Sequence, residues 1–474
     1  MSSNIDTALN ALANNEIETL QYLFKIHDCA ILKHILVGYT LADYQCFAIA
    51  LALTRKRLIL SLDTGLGKTL IAGAIMAVLK PLNKSWLFLC KLDAVRQTYK
   101  KLADALPNFT INVSDSRSIN MAEFKRSEKA DIYIITYEAF RDVSLNNWIL
   151  ERHDDFIGIF LDESHNISNN TSRVHDYAKH MLRKCFEFQF CLTATPLRTS
   201  PDQYINQVSM IDPKLIPDPK KVAMIIRKYE NNVFVAYRNL DWLAKTLSPR
   251  CLSITRENVG ARGKYRPIFI PIPNVHDSGY SKCPESPKVQ KSDPDGKSIN
   301  ILVDLIKHKL AEGQKGLIYA NLNKYKSLIM DKLSEFCVVA EISGRVSNTA
   351  VRTEIQQKFN NNEIDVIVIN VTEALDLTCD YVVFYEQTSL YKQVIGRGER
   401  GLSGRDLEIY FMVITDNYDM NFFFRNVYQN GLLIEKLCSK DISELHAINN
   451  QIKDYLSAAQ QEEVNNVIEE AIHS

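Results

Sequence analysis

An excess of charge of either sign is the first thing this 474-residue chain lacks. Lys plus Arg number 56, Asp plus Glu also number 56, and the formal net charge is zero. Global charge therefore announces no polyanion partner, and any nucleic-acid site has to be a local patch. The ten cysteines form no CxxC pair and no tight cluster with histidine. That argues against zinc or a disulfide framework and for reduced, cytosolic thiols. The N-terminal stretch MSSNIDTALNALANNEIETL has no basic segment followed by an apolar one, so no signal peptide is expected. No apolar run approaches the ~18–20 residues needed to cross a bilayer. A soluble protein is expected, cytoplasmic (host cytoplasm if virus-encoded), with the nucleus left open and no membrane partner. Hydrophobic residues at 46% and charged residues at 24% are ordinary for a globular chain. At about 150 residues per domain the length suggests roughly three domains.

Residues 1–38 read as a helical N-terminal segment, with Leu9, Leu12, Ile17, Leu20, Leu23 and Phe24 at helical spacing. From 39 to 205 short apolar runs alternate with amphipathic stretches; the runs are Arg57–Leu62, Trp86–Cys90, Asp131–Thr136, Phe156–Leu161 and Phe188–Thr193. A second series fills 298–430, with Gly316–Ala320, Cys337–Ile342, Asp365–Asn370, Tyr381–Tyr385 and Leu407–Val413. Strands alternating with helices predict α/β units with parallel sheets. Between them, 206–270 reads as a basic helical extension or interlobe region. Its residues 211–270 hold 12 Lys/Arg against 5 Asp/Glu, interleaved with Tyr229, Phe234, Tyr237, Trp242 and Tyr265. This stretch is either an extra nucleic-acid contact or an extension whose aromatics belong to its own core. Residues 271–297 read as a linker or loop, and 431–474 as an acidic helical tail with 8 Asp/Glu against 3 Lys, most simply a solvated face.

The run Leu58–Leu62 leads into Asp63-Thr64-Gly65-Leu66-Gly67-Lys68-Thr69 and then a helical stretch. Glycines let backbone N–H groups curl around phosphate oxygens, and the helix N-terminus adds partial positive charge. Lys68 is placed to reach the β- and γ-phosphates, and the Thr69 hydroxyl to ligate Mg²⁺. The first glycine of the strict loop pattern is replaced by Leu62. A second acidic strand end is needed beside such a loop. The apolar run Phe156–Leu161 supplies it, ending in Asp162-Glu163-Ser164-His165. Asp162 is the candidate for Mg²⁺ and Glu163 for polarising the attacking water.

With these residues the chain resembles superfamily 2 helicases and translocases, and further motifs follow in that family's order over about 39–415. Leu41-Ala42-Asp43-Tyr44-Gln45 resembles the adenine-reading glutamine motif. The strand ending in Lys91 and the segment Ile134-Ile135-Thr136-Tyr137-Glu138 resemble motifs that touch a nucleic-acid backbone. Leu192-Thr193-Ala194-Thr195-Pro196 resembles the motif coupling hydrolysis to grip. The segment from Asn370 to Leu377, with Thr372 and Asp376, resembles EGLDL, with Ala374 in place of the glycine. Tyr391 to Arg400 matches QxxGRxxR through Gln393, Arg397 and Arg400.

The resemblance implies two RecA-like parallel-sheet lobes in tandem, and ATP with Mg²⁺ as cofactors. Gln45, Thr64, Gly65, Leu66, Gly67, Lys68, Thr69 and Asp376 would bind ATP, and Thr69 and Asp162 would hold the metal. Lys68, Asp162, Glu163, Gln393, Arg397 and Arg400 would be catalytic, the two arginines stabilising the transferring phosphoryl group. His165, Thr193 and Thr195 would couple the lobes; His165 is alternatively a simply hydrogen-bonded histidine. Lys91, Thr136, Tyr137 and Thr372 would touch nucleic acid. The branch closest in look is that of the Swi/Snf-like double-stranded-DNA translocases. The implied function is an ATP-dependent helicase or translocase on duplex or branched DNA, working as a monomer on replication or recombination intermediates. A translocase displacing a polymerase from DNA, an RNA helicase and an ATP-sensing scaffold that does not cycle stand as alternatives.

Overall fold

The computed structural model describes residues 32–114, 129–168, 173–196, 200–230, 233–256, 265–273, 296–344, 349–370, 377–388, 391–398 and 406–415, with a few single residues and short segments besides. The expected helices of 1–31 and of most of the C-terminal tail, and the segment 274–295, lie outside them.

In chain order the elements begin with α1 (Asp43–Arg55), β1 (Arg57–Leu62), α2 (Lys68–Val78), β2 (Ser85–Cys90), α3 (Leu92–Ala105) and β3 (Ile111–Ser114). They continue with β4 (Ile132–Thr136), α4 (Val143–Glu151), β5 (Phe156–Asp162), α5 (Arg173–Lys184), β6 (Phe188–Thr193) and α6 (Pro201–Ile211). Then come α7 (Pro219–Ile226), β7 (Arg227–Glu230), β8 (Val233–Tyr237), α8 (Leu240–Leu247), β9 (Cys251–Ile254) and β10 (Tyr265–Ile272). The remainder is α9 (Lys297–Ala311), β11 (Gly316–Tyr319), α10 (Asn323–Leu333), β12 (Val339–Ile342), α11 (Thr349–Asn360), β13 (Val366–Ile369), β14 (Tyr381–Phe384), α12 (Tyr391–Gly398) and β15 (Leu407–Ile414).

The chain divides into two compact units. The first takes the residues up to Ile226 together with Trp242–Ile254, and the second takes Arg227–Asp241 with the residues from Thr255 on. Each is a RecA-like α/β lobe. The first holds a seven-stranded sheet in the order β3-β4-β2-β5-β6-β1-β9, the second a six-stranded sheet in the order β10-β15-β14-β11-β13-β12. All neighbouring strands in both sheets run parallel. Parallel strands need helical crossovers that cover both faces, which is why β2 and β6 are buried along their whole length.

The first sheet is packed around aromatics. Trp86 lies 5.0 Å from Phe160 and 6.4 Å from Phe190, centroid to centroid. Its ring occupies the place where Gly158 would carry a Cβ, 2.2 Å from the nearest ring atom. Only glycine in the middle of β5 lets that ring sit flat on the strand.

Strand β10 differs from the linker expected from residue 271 and from a second lobe opening at 298. The sequence shows a strand ending in Pro273 but assigns it to the region between the lobes. The structure places it as the outer edge strand of the second sheet, paired with β15 over all eight residues. Residues 267, 269 and 271 point their backbone polar groups away from β15, so the prolines there remove no ladder bond. On that edge the Phe269 N–H donates to Gln451 Oε1 at 2.9 Å, and Gln451 Nε2 returns a bond to the Pro267 carbonyl at 3.2 Å. The region 206–270 likewise differs from a purely helical extension. It contains the antiparallel hairpin β7–β8 and the strand β9, which pairs with β1 and closes the edge of the first sheet.

Candidate nucleotide site at the strand ends of the first unit

Open parallel sheets bind ligands beyond the carboxyl ends of their strands. In the first unit β5, β6 and β1 are neighbours in that order, and the register pairs Asp162 with Leu192 and Ser61 with Thr193. The acidic loop, the Thr-Ala-Thr-Pro loop and the glycine-bearing loop therefore leave the sheet at one level, each about 5 Å from the next.

The glycine-bearing loop is bent by Gly65 (φ 84°) and Gly67 (φ 80°), both left-handed. A Cβ on Gly67 would come within 2.3 Å of Gln45 Nε2, so the second glycine is needed for space as well as for φ. Gln45 is buried and uses its amide on the protein. Nε2 donates to the Leu66 carbonyl at 3.1 Å, and Oε1 accepts from Ala42 N at 2.9 Å. Tyr44 donates to the same carbonyl at 3.2 Å. The residue expected to read adenine is thus the brace of the phosphate loop here. No side chain caps the N-terminus of α2, so its first-turn N–H groups are suited to phosphate oxygens. The Lys68 ammonium curls over its own loop, donating to the carbonyls of Leu62 (2.8 Å) and Asp63 (3.3 Å). Thr64 is buried, and Thr69 lies in the first turn of α2.

Asp162 ends β5. Burial, then the charge of Glu163, pushes its carboxyl well above the ordinary range, and Lys68, the Glu163 backbone N–H and Lys91 pull the other way. The loop and the acidic strand end therefore face one another electrostatically, and Lys91, expected on nucleic acid, lends its charge to this site. Among the described residues no group of three or more His, Cys, Asp or Glu could hold a metal. One carboxylate that costs free energy to ionise, beside a threonine hydroxyl, fits a cation bound mainly through phosphates and water, as Mg²⁺ is. Asp162 and Thr69 are the residues that would hold it.

Glu163 has a left-handed backbone (φ 51°) that turns its side chain out of the strand direction. Its Oε2 lies 3.3 Å from Nδ1 of the buried His165. Ser164 donates to Gln207 Oε1 at 2.6 Å, and Gln207 Nε2 donates to the Pro196 carbonyl at 2.6 Å. Thr193 Oγ1 accepts from Thr195 N at 3.0 Å, while the Thr195 hydroxyl is buried with no hydrogen-bond partner among the described residues. Gln207 was not foreseen. Its only signal is an amide on the buried side of α6, among Tyr204, Ile205, Val208 and Ile211.

Thr136 and Tyr137 differ from the expected backbone contact. Thr136 is fully buried and its Oγ1 accepts from Ala139 N; Tyr137 is buried and donates to the Asp162 carbonyl at 2.6 Å. Burial first, then the Asp162 charge, holds the Tyr137 phenol well above its ordinary pKa. Both residues shape the acidic strand end and present no surface to a polymer.

In the second unit α12 carries Gln393 and Arg397. Gln393 is buried, with Nε2 lacking a hydrogen-bond partner among the described residues, and Arg397 is half-buried. The carbonyls of Arg397 and Gly398 accept from Leu377 N and Cys379 N, both at 3.0 Å, which ties the end of α12 to the segment before β14. Thr372, Asp376 and Arg400 lie outside the described residues. Of the expected basic, aromatic-bearing stretch, Tyr229 and Trp242 are exposed.

Residues 38–198 match the family model described as the res subunit of type III restriction enzymes. That match spans the first-unit residues from Gln45 to Pro196 described above. Two solved structures are similar to this chain. One is the Sulfolobus solfataricus SWI2/SNF2 ATPase core in complex with dsDNA, at 17% identity over 90% of this chain and 97% of that one, with a TM-score of 0.42. The other is the Pyrococcus furiosus Hef helicase domain, at 14% identity over 80% of this chain and 97% of that one, with a TM-score of 0.49. No curated protein matches. No helix among the described residues is long and apolar enough to cross a membrane.

Proposed function

We propose that this chain is a superfamily 2 helicase/translocase core, a nucleic-acid-stimulated, Mg²⁺-dependent ATPase that moves along DNA, with duplex, forked or branched DNA as its preferred track. The observation that carries the reading is that the half-buried Asp162 at the end of β5 lies within the field of Lys68 on the glycine-bearing loop, whose charge favours its ionised form. A half-buried carboxylate in the field of a phosphate-loop lysine has a chemical use in holding a cation–triphosphate complex, and little structural use.

In this reading the bent loop and the uncapped start of α2 bind the phosphates, and Lys68 leaves the Leu62 and Asp63 carbonyls to take the β- and γ-phosphate oxygens. Mg²⁺, when bound, offsets phosphate charge. Glu163 takes the role of orienting and polarising water, with His165 fixing its carboxylate. Arg397, with Arg400, is the second unit's candidate for stabilising charge on the transferred phosphoryl group. The γ-phosphate is then the contact that distinguishes two states, and its removal changes the grip on DNA. Because grip through backbone phosphates carries little sequence information, movement is independent of sequence and sensitive to salt.

The test is ATP hydrolysis measured across duplex, forked, four-way and single-stranded DNA and RNA. Stimulation greatest with duplex or branched DNA is expected, with Lys68→Ala and Glu163→Gln abolishing hydrolysis and leaving DNA binding largely intact. A folded wild-type protein that hydrolyses no ATP with any of these would overturn the proposal.

A further inference from the structure

At the opposite end of β1 from the phosphate loop lies an open concavity of about 600 Å³, lined by Arg55, Lys56, Arg57, Glu187, Asp212, Lys214 and Arg250. Five cationic side chains face two carboxylates, a surplus of three positive charges in a chain whose net charge is zero. The concavity sits at the amino ends of β1, β6 and β9. β1 rises about 17 Å from Arg57 to Leu62, so it is remote from the nucleotide site.

The cations are held in place by the fold. Lys56 ends α1 with a left-handed backbone (φ 60°). That tight helix-to-strand turn puts three consecutive basic residues on one rim. Arg55 Nη1 donates to the carbonyls of Ser248 (3.2 Å) and Pro249 (3.0 Å), and Arg57 Nη1 to that of Ile211 (3.2 Å). A guanidinium has five N–H donors, and these bonds all use Nη1. They fix the two groups without neutralising them. The carboxylates are already engaged. Glu187 pairs with Lys56 at 2.5 Å; Asp212 pairs with Arg250 at 2.8 Å and also caps the backbone of Lys214 and Leu215. Burial, and then the charge of the neighbouring Arg250, lowers the Arg55 pKa. Like charges held together this way gain from an anion placed between them.

We infer that this concavity is a second phosphate-binding site of the first lobe, taking the backbone phosphates of a nucleic acid through Arg55, Arg57 and Lys214. Rigid guanidiniums beside an exposed lysine suit phosphodiester oxygens, and the open mouth admits a polymer. A nucleic acid reaching this end of the sheet would be anchored independently of the nucleotide state, because none of these residues belongs to the loops that meet ATP.

The test compares wild type with Arg55→Gln/Lys214→Gln and, since Arg55 also braces backbone, with Lys214→Glu alone. Binding of a fluorescein-labelled 30-base-pair duplex is titrated across salt, with thermal unfolding and unstimulated ATPase as controls that should not move. Loss of two contacts should weaken binding severalfold and flatten the slope of log K against log salt by about two. In a second arm, inorganic tripolyphosphate is titrated by calorimetry against the Lys68→Ala protein with and without the pocket substitutions. A flattened duplex slope supports the nucleic-acid source. An unchanged slope with lost tripolyphosphate binding shows a phosphate site fed by a free oligophosphate. Both measurements unchanged overturn the inference. A wild type that binds tripolyphosphate here and binds no nucleic acid separates failure of the proposed function from failure of this site.

Discussion

Ser164 and Gln207 form a buried hydrogen bond of 2.6 Å, and the same glutamine amide bonds the Pro196 carbonyl at 2.6 Å. One side chain on α6 therefore links the loop after β5 to the loop after β6, so a shift in one is felt by the other. Gln207→Leu would orphan a buried hydroxyl and a buried carbonyl, at a cost of about 1–3 kcal/mol. The expected result is a lower melting temperature together with a loss of stimulation of ATP hydrolysis by DNA, while the unstimulated rate changes less. Equal stimulation factors in variant and wild type would show that the link is structural only.

Thr195 offers the converse case. Its buried hydroxyl has no hydrogen-bond partner among the described residues, and such a group costs free energy to bury. Thr195→Val keeps the shape and removes the polar atom. Stability should hold or rise by up to about 1 kcal/mol, while DNA-stimulated hydrolysis falls several-fold, because the hydroxyl serves the working site. Melting curves and ATPase rates on the same preparation decide it; a stable variant with full activity counts against any role for Thr195 in coupling.

Legibility in the sequence followed burial. Strands β1, β2, β4, β5 and β6, and their counterparts β11, β13, β14 and β15, are buried on both faces and stand out as apolar runs, within a residue or two of their true ends. Of the edge strands, β12 was readable as the run Cys337–Ile342 and β10 as a strand ending in Pro273, whereas β3 and β9 did not stand out. β3 and β9 are four residues long and half-exposed, and β10, though read as a strand, was placed in the interlobe region because its partner β15 lies far along the chain. The phosphate loop and the Asp162-Glu163 strand end were readable because their spacing is local. The braces were not: Gln45 on Leu66, Tyr137 on Asp162 and Gln207 between two loops are tertiary contacts between residues with no common motif. Residue type alone also misplaced Thr136 and Tyr137, since a hydroxyl in sequence does not say whether its strand end is covered.

Gly158 gives a packing prediction. Its missing Cβ is filled by the Trp86 ring, and the Phe188 carbonyl lies 2.8 Å from the same point. Gly158→Ala must displace the ring or the strand, and overpacking of this kind costs about 1–3 kcal/mol. Because β5 delivers Asp162, a drop in ATP affinity should accompany the lower melting temperature. The double variant with Trp86→Leu should recover part of the stability; no recovery would show that the clash is with the Phe188 backbone instead.

The pH dependence of the second unit can be predicted from Glu408. Its Oε2 lies 2.6 Å from Lys309 Nζ and accepts from the Tyr410 hydroxyl at 2.8 Å. Burial alone would raise this carboxyl, but the bonds from Lys309 and Tyr410, with the charges of Lys309 and Arg266, outweigh it and leave the pKa below the ordinary glutamate value. A carboxylate depressed by folding adds stability above its unfolded pKa, and that contribution is lost as pH falls through the folded value. The window therefore opens near pH 4.5 and extends downward. Between neutral pH and pH 5 the contribution should be constant, on the order of 1 kcal/mol for a partly buried, charge-assisted pair. Glu408→Gln removes it, so the difference in unfolding free energy between wild type and variant, followed by denaturant titration, should be flat from pH 7 to 5 and shrink below pH 4.5. A difference that grows as the solution is acidified would mean that Lys309 is held by Glu312 alone and that Glu408 is not the ionised partner.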